Sequence, residues 1–343
     1  MKKPYETYNT FAPTEKMKYP FRFGKVKKPS EKRIKKWGGK HMTEYNVMYG
    51  YMTTPFCFPC SFTMYRFFHH VIWHFFMPQY FQKIHLRHTP VKHVDHQLDE
   101  KVPFREDLIS CYMDFINVWV RPLSMLMHRF NIFQGAKLSC EWFRYLCLVY
   151  HESYRMYSYS MTTTYRPKPT TKKVKALYAG DPHYMCVPSL HISIVCLCFS
   201  FYRMLFKRED FTEQEIEMWN KELFERAVDI GETVLYIKQH SVNCIPAALY
   251  MITRIVPELF TPEIAIEFIS ALFKNKTDIS ETERKKIQAH IIFTYERFLL
   301  EGAIEEDWMD PVTRWLDSYQ SHVPFYADLE NPEDKDRKQT ENA

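Results

Sequence analysis

Two histidines, two fixed cations and a hydroxyl occupy three short stretches: residues 162–167 (TTTYRP), 186–191 (CVPSLH) and 236–240 (YIKQH). These residue types are what phosphoryl transfer without a metal requires. A helix N-terminus offers unpaired N–H groups and a positive dipole end to an anion, and Pro188 at the first helical position beside Ser189 is expected to form one. Arg166 supplies a planar fork that matches phosphate oxygens, and Lys238, two residues before His240, supplies a point charge. One histidine would attack phosphorus while the other protonates the departing alcohol.

The order Arg-Pro, then Pro-Ser-x-His, then a basic residue shortly before His resembles the three motifs of the type 2 phosphatidic acid phosphatase superfamily, which also contains the vanadium haloperoxidases. Pro-Ser-Leu-His (residues 188–191) and Lys-Gln-His (238–240) are most similar to the inositol phosphorylceramide synthase branch. Pro188 lies 22 positions after Arg166, and His240 lies 49 after His191, which suits the family. The resemblance spans roughly residues 108–256. It implies His240 as nucleophile, His191 as general acid, and Arg166, Ser189 and Lys238 as holders of the phosphate oxygens. It also implies a helical bundle, no metal or cofactor, and a phosphorylated lipid or small phosphoester as substrate.

Three positions depart from the family pattern. Tyr159 stands where the first motif has Lys, residues 232–234 (ETV) stand where the third motif has Ser and a basic residue, and Cys244 stands where an Asp orients the nucleophilic imidazole. Loss of an orienting carboxylate costs orders of magnitude in rate in comparable acid–base arrays. Another acid such as Asp181, Asp229 or Glu232 replaces it, or turnover is slow, or the chain keeps the fold as a phosphate- or lipid-binding scaffold without turnover.

Other patterns are weaker. His70 and His74 form an i, i+4 pair, followed by His85, His88, His93 and His96, but His-x-x-x-His alone is a poor metal signature. The helical pair is expected to be buried, the loop solvated, and no metal bound. Cys57-x-x-Cys60 lacks the βαβ unit of a redox motif. Residues 60–66 meet the Cys-x5-Arg spacing of cysteine phosphatases but contain no glycine to bend backbone N–H groups around an anion.

The elements that would position these residues read as helices. Residues 61–82, 108–130 (bent at Pro122), 137–157 and 188–206 are long and apolar on most faces. Thr212 with Glu215 and Ser280 with Glu283 have capping-box spacing; Thr261-Pro262 and Asp310-Pro311 place a cap before an N1 proline; Gly302 is expected to close a helix. No segment alternates with period two. The class expected is all-α, with helices added C-terminal to the bundle.

Composition agrees. Apolar residues are 46 % of 343, enough for a large core, and 8 glycines leave little for Gly-rich phosphate loops; neither G-x-G-x-x-G nor Walker A is present. The net charge of +5 is uneven: residues 1–40 carry 13 basic and 3 acidic side chains, residues 328–343 carry 3 and 6. The division expected is a basic, aromatic arm (1–42), one helical domain (43–327) with the phosphatase-like motifs at 162–244, and an acidic disordered tail (328–343). The arm suits an anionic membrane surface, where each Lys or Arg contributes about 1 kcal/mol; nucleic acid is not the partner expected. No secretory leader is read at the N-terminus, so a cytoplasmic protein, at most peripheral to a membrane, is expected.

Overall fold

Thr212 and Glu215 exchange hydrogen bonds, the Thr hydroxyl taking the Glu215 N–H at 3.3 Å and the carboxylate taking the Thr212 N–H at 3.1 Å. This capping box opens a 24-residue helix, as the spacing predicts, and Ser280 with Glu283 opens a 22-residue one in the same way. The computed structural model describes residues 26–58 and 60–327, and among them helix accounts for 68 % and strand for 2 %, so the class is all-α. The basic and aromatic residues before Val26, Pro59, and the acidic segment from Asp328 lie outside the described residues.

The helices are α1 (Glu31–Trp37), α2 (Val47–Thr53), α3 (Cys60–His70), a π-helical segment (Val71–Phe76) running into α4 (Met77–Lys83), α5 (Ile109–Met113), α6 (Phe115–Phe130), α7 (Ile132–Tyr159), α8 (Lys172–Gly180), α9 (Leu190–Arg208), α10 (Glu213–Tyr236), α11 (Cys244–Ile255), α12 (Pro262–Ala271), α13 (Glu281–Gly302) and α14 (Met309–Ser318). Helix α9 is the centre, packed by α6, α7, α10 and α11, with α13 laid on α11 and flanked by α12 and α14. By length and composition α9 could cross a membrane, but 78 % of its apolar window is buried inside the fold, which makes it the core helix of this bundle. Residues 26–42 pack on the body: Trp37 stacks on His128 at 3.9 Å and Arg33 donates to the His128 carbonyl at 2.7 Å.

Several boundaries differ from the sequence reading. The helix expected over 108–130 is interrupted at Asp114, between α5 and α6, where ψ rises to −3° and the carboxylate is taken by Asn117, Arg121 and Arg226. The helix expected over 61–82 changes to π register after His70. Ser189 is the N-cap of α9 and Pro188 precedes it, so proline is not at N1. Helix α14 starts at Met309, ahead of the expected cap at Asp310, whereas Thr261 and Pro262 cap and open α12 as read. Gly302 does end α13, but for a packing reason: a Cβ there would lie 1.8 Å from the Tyr250 hydroxyl.

Period-two alternation is absent, yet two three-residue strands form. β1 (Val91–His93) and β2 (Met161–Thr163) pair in parallel, and Thr162 also bridges Met185. Strands this short carry no readable periodicity. They matter because they fasten the 162–167 stretch to the 186–191 stretch: the Thr162 hydroxyl accepts the N–H groups of Cys186 at 3.1 Å and Val187 at 2.7 Å.

Candidate active site

The chain delivers His240 and His191 to one place by different means. His191 lies in the first turn of α9, whose cap Ser189 accepts the Ile192 N–H at 3.4 Å. His240 lies in the turn between α10 and α11, its own N–H bonded to the Val234 carbonyl at 3.1 Å. The turn is held from outside by Asp99, buried in the Gln97–Lys101 turn, whose carboxylate takes the Val242 N–H at 2.8 Å. Tyr157 on α7 donates to the Pro188 carbonyl at 2.6 Å and fixes the approach to α9.

The two imidazoles meet. His240 Nε2 stands 3.3 Å from His191 Nδ1 and 3.1 Å from Ser189 Oγ. Burial drives His191 down to about 4, with Asp181 opposing, and drives His240 well below the usual histidine range, reinforced by His191 and His183. Both rings are therefore neutral at pH 7, the form a nucleophile needs. In-line displacement puts nucleophile and acid on opposite sides of phosphorus, with about 3–3.5 Å to the reacting atom and about 3 Å to the proton acceptor. At 3.3 Å the two rings leave no room for a phosphorus between them, so such a reaction would require the pair to open.

Arg166 lies at the edge of this cluster. Its guanidinium covers the Tyr178 ring at 4.1 Å, its Nη1 is 3.8 Å from the Asp181 carboxylate, and that buried Nη1 makes no hydrogen bond. Lys238 is placed elsewhere. Its ammonium donates to the carbonyls of Asp99 and Val102, and burial pulls it down to about 8. With φ at +55°, Lys238 turns the chain after α10 and directs the next two residues inward. It is a structural cation of the Asp99 turn and does not line the cavity, contrary to the role expected from its spacing.

Sequence reasoning passed over three residues that line the cavity with the histidines: Gln239, His183 and Cys186. The Gln239 amide nitrogen is buried without a hydrogen-bond partner, a donor ready for an anion. His183, at φ +63°, accepts or donates to the Thr164 hydroxyl at 2.8 Å and lies 3.7 Å from Asp181. Burial pushes His183 down, but the neighbouring Cys186 sulfur and Asp181 carboxylate outweigh it and raise the imidazole to about 9. Asp181 falls to about 2, its own burial outweighed by His183 and Arg166. The imidazolium form of His183 is favoured by the Cys186 sulfur and the Asp181 carboxylate, which also offset its charge. The signal in the sequence was Asp-Pro-His at 181–183, immediately upstream of the second motif.

Cys244 is fully buried at the start of α11, where its sulfur takes the Ser241 N–H at 3.4 Å and interacts with Cys186. His240 Nδ1 is buried with no carboxylate on it, and the backbone of Cys186 is what supports the ring. Among the acids considered as replacements, Asp181 acts on His240 through space, whereas Glu232 is bound to Lys276 at 3.0 Å and Asp229 to Arg226 at 3.2 Å.

Behind the polar end runs a cavity of about 540 Å³ walled by Phe67, Phe75, Trp119, Leu123, Phe143 and Tyr150. At its mouth Phe68, Phe76 and Ile116 line it while remaining 47 %, 42 % and 46 % exposed. Phe62, Tyr65, Trp73 and Met113 are each more than half exposed. No protein-family profile, no curated protein and no solved structure matches the chain.

Proposed function

We propose that the chain is a metal-independent phosphatase or phosphotransferase of the type 2 phosphatidic acid phosphatase kind, acting on a lipid-type phosphoester through a phosphohistidine. The observation that carries this reading is the meeting of His240 and His191, 3.3 Å apart, at the polar end of a long apolar cavity. His240 Nε2 attacks phosphorus, the P–O bond to the alcohol breaks, and the leaving oxygen takes a proton from His191. Water or an acceptor alcohol then attacks the phosphohistidine, giving its proton to His191 and releasing His240. His191 must be protonated for the first step, and a phosphate anion in the cavity raises its pKa in that direction. Gln239 and His183, which line the cavity, would hold the non-bridging oxygens, with the Ser189 hydroxyl beside His240; Arg166, paired with Asp181 and outside the lining, would have to swing in to join them.

The apolar mouth suits a substrate with an acyl or alkyl chain presented by a membrane surface. Chain burial at about 25 cal/mol per Å² supplies binding, and the polar end supplies orientation.

The test is phosphate release from p-nitrophenyl phosphate and from short-chain phosphatidic acid in the presence of EDTA. His240→Ala should abolish it, and His191→Ala should slow it and accumulate acid-labile phosphate on the protein. Unchanged release in both variants would overturn the assignment. A second reading, a scaffold that binds the phosphoester without turning it over, is favoured by Cys244, a buried thiol, standing where an acid would orient His240. Saturable binding without release from the wild-type chain would select it.

A further inference from the structure

The π-helical segment that follows His70 has a second consequence. It carries His74, while α7 carries His151 opposite, and the ligand nitrogens of His70, His74 and His151 all lie within 4.8 Å of one another. His70 Nδ1 and His74 Nδ1 are 2.7 Å apart, and the ring centroids of His74 and His151 are 5.8 Å apart. We infer that these three imidazoles form a binding site for a divalent transition metal of the zinc class, which pins the continuous 60–83 helical stretch to α7.

Donor chemistry selects that class. Three imidazoles without a thiolate or carboxylate suit Zn, Cu, Ni or Fe, and disfavour Mg or Ca, which take oxygen ligands. Tetrahedral zinc at about 2.0–2.1 Å from each nitrogen separates its ligands by about 3.3 Å. The His70–His74 pair must open slightly and His151 must close by a little more, movements within the reach of ring rotation. His70 and His151 are buried and His74 is half-buried, so the fourth position faces partly outward and would hold water. The 2.7 Å contact between His70 Nδ1 and His74 Nδ1 is a hydrogen bond, so one of these nitrogens carries a proton that a bound metal would displace.

The surroundings support the rings. Tyr154 stacks on His74 at 4.4 Å, and His69 lies edge-on to it at 5.9 Å. The nearby Arg155 is neutralised by Glu152 and Asp307 and so presents little net charge to a cation. None of the three histidines lines the phosphoester cavity, so this site stands apart from the proposed chemistry and does not depend on it. A π turn inside a helix is rare and occurs mostly at functional sites, which agrees with its position between two of the ligands.

The experiment uses the full chain, stripped with a chelator and titrated with Co²⁺ alone, with Zn²⁺ as competitor. The expected result is one equivalent of Co²⁺ giving visible d–d bands, displaced by Zn²⁺, and a Zn²⁺-dependent rise in Tm. His74→Ala and His151→Ala should each weaken binding at least ten-fold and remove the Tm rise, whereas His88→Ala in the neighbouring loop should match the wild type. If an alanine variant is misfolded by circular dichroism, His74→Gln takes its place under the same criterion. Absence of a saturable Co²⁺ spectrum, or equal affinity in the wild type and the His74 and His151 variants, would overturn the site. Phosphate release measured in EDTA is a separate readout, so failure of either proposal is recognised without the other.

Discussion

His240 Nε2 stands 3.3 Å from His191 Nδ1, although 49 residues of chain separate them and they sit on a turn and a helix respectively. Neither ring has a charged partner at that distance, and burial keeps both neutral. The fold therefore holds two bases together in a dry place, and this has consequences that can be measured.

The first concerns acid. A histidine whose folded pKa lies below its unfolded value binds fewer protons in the folded state, so stability falls as pH drops below the unfolded pKa and levels off below the folded one. For His191 that window runs from 6.5 down to about 4. Tm should decline across it, and His191→Gln should flatten part of the slope. An unchanged slope would mean that the ring is not desolvated as described.

His183 has the opposite sign. Raised to about 9, it contributes stability that is full below 6.5 and lost as pH rises through 9. Its NMR titration should show a midpoint above 6.5, moving down in Cys186→Ala and in Asp181→Asn because each removes a group that favours the cation. A midpoint at or below 6.5 in the wild type would overturn the imidazolium form of His183.

Cys244 sets the third expectation. With no carboxylate on His240 Nδ1, phosphohistidine formation should be slow. Cys244→Asp should raise its rate at least ten-fold, in the direction an orienting acid acts. The same variant should lower Tm, because the new carboxylate replaces a fully buried thiol next to Cys186. Loss of stability without any gain in rate would show that position 244 does not address Nδ1.

The fourth concerns the scaffold. Arg129 on α6 and Glu215 on α10 form a buried bidentate pair at 2.5 and 3.0 Å, with Arg129 also over the Phe211 ring. Arg129→Ala leaves Glu215 uncompensated and should cost about 3–5 kcal/mol, read from urea unfolding. A loss under about 1 kcal/mol would mean that the pair is solvated.

How much of this could be read from the sequence depends on distance along the chain. The capping boxes at Thr212 and Ser280 are local, so three-residue spacing revealed them. The pairing of His191 with His240 was available only as an implication of the family resemblance, since no local spacing joins residues 49 positions apart. Lys238 was misread because its charge was visible while its positive φ and the two carbonyls awaiting it were not. His183 and Gln239 were missed because their importance lies in what surrounds them, and β1 and β2 because three residues cannot display a period. The His70–His74 pair was legible, but His151, 77 positions on, gave no local sign that it would join them.

The inner wall of the cavity has one more implication. Trp119, Leu123 and Phe143 are almost wholly inaccessible to solvent, so the wall they form is backed by packed core. A tail seated with its headgroup at the histidines has a finite depth to fill, and further methylenes must either strain that wall or fold back towards the opening. Under the proposed chemistry the bundle acts as a ruler, and trimming Phe143 would lengthen the measure.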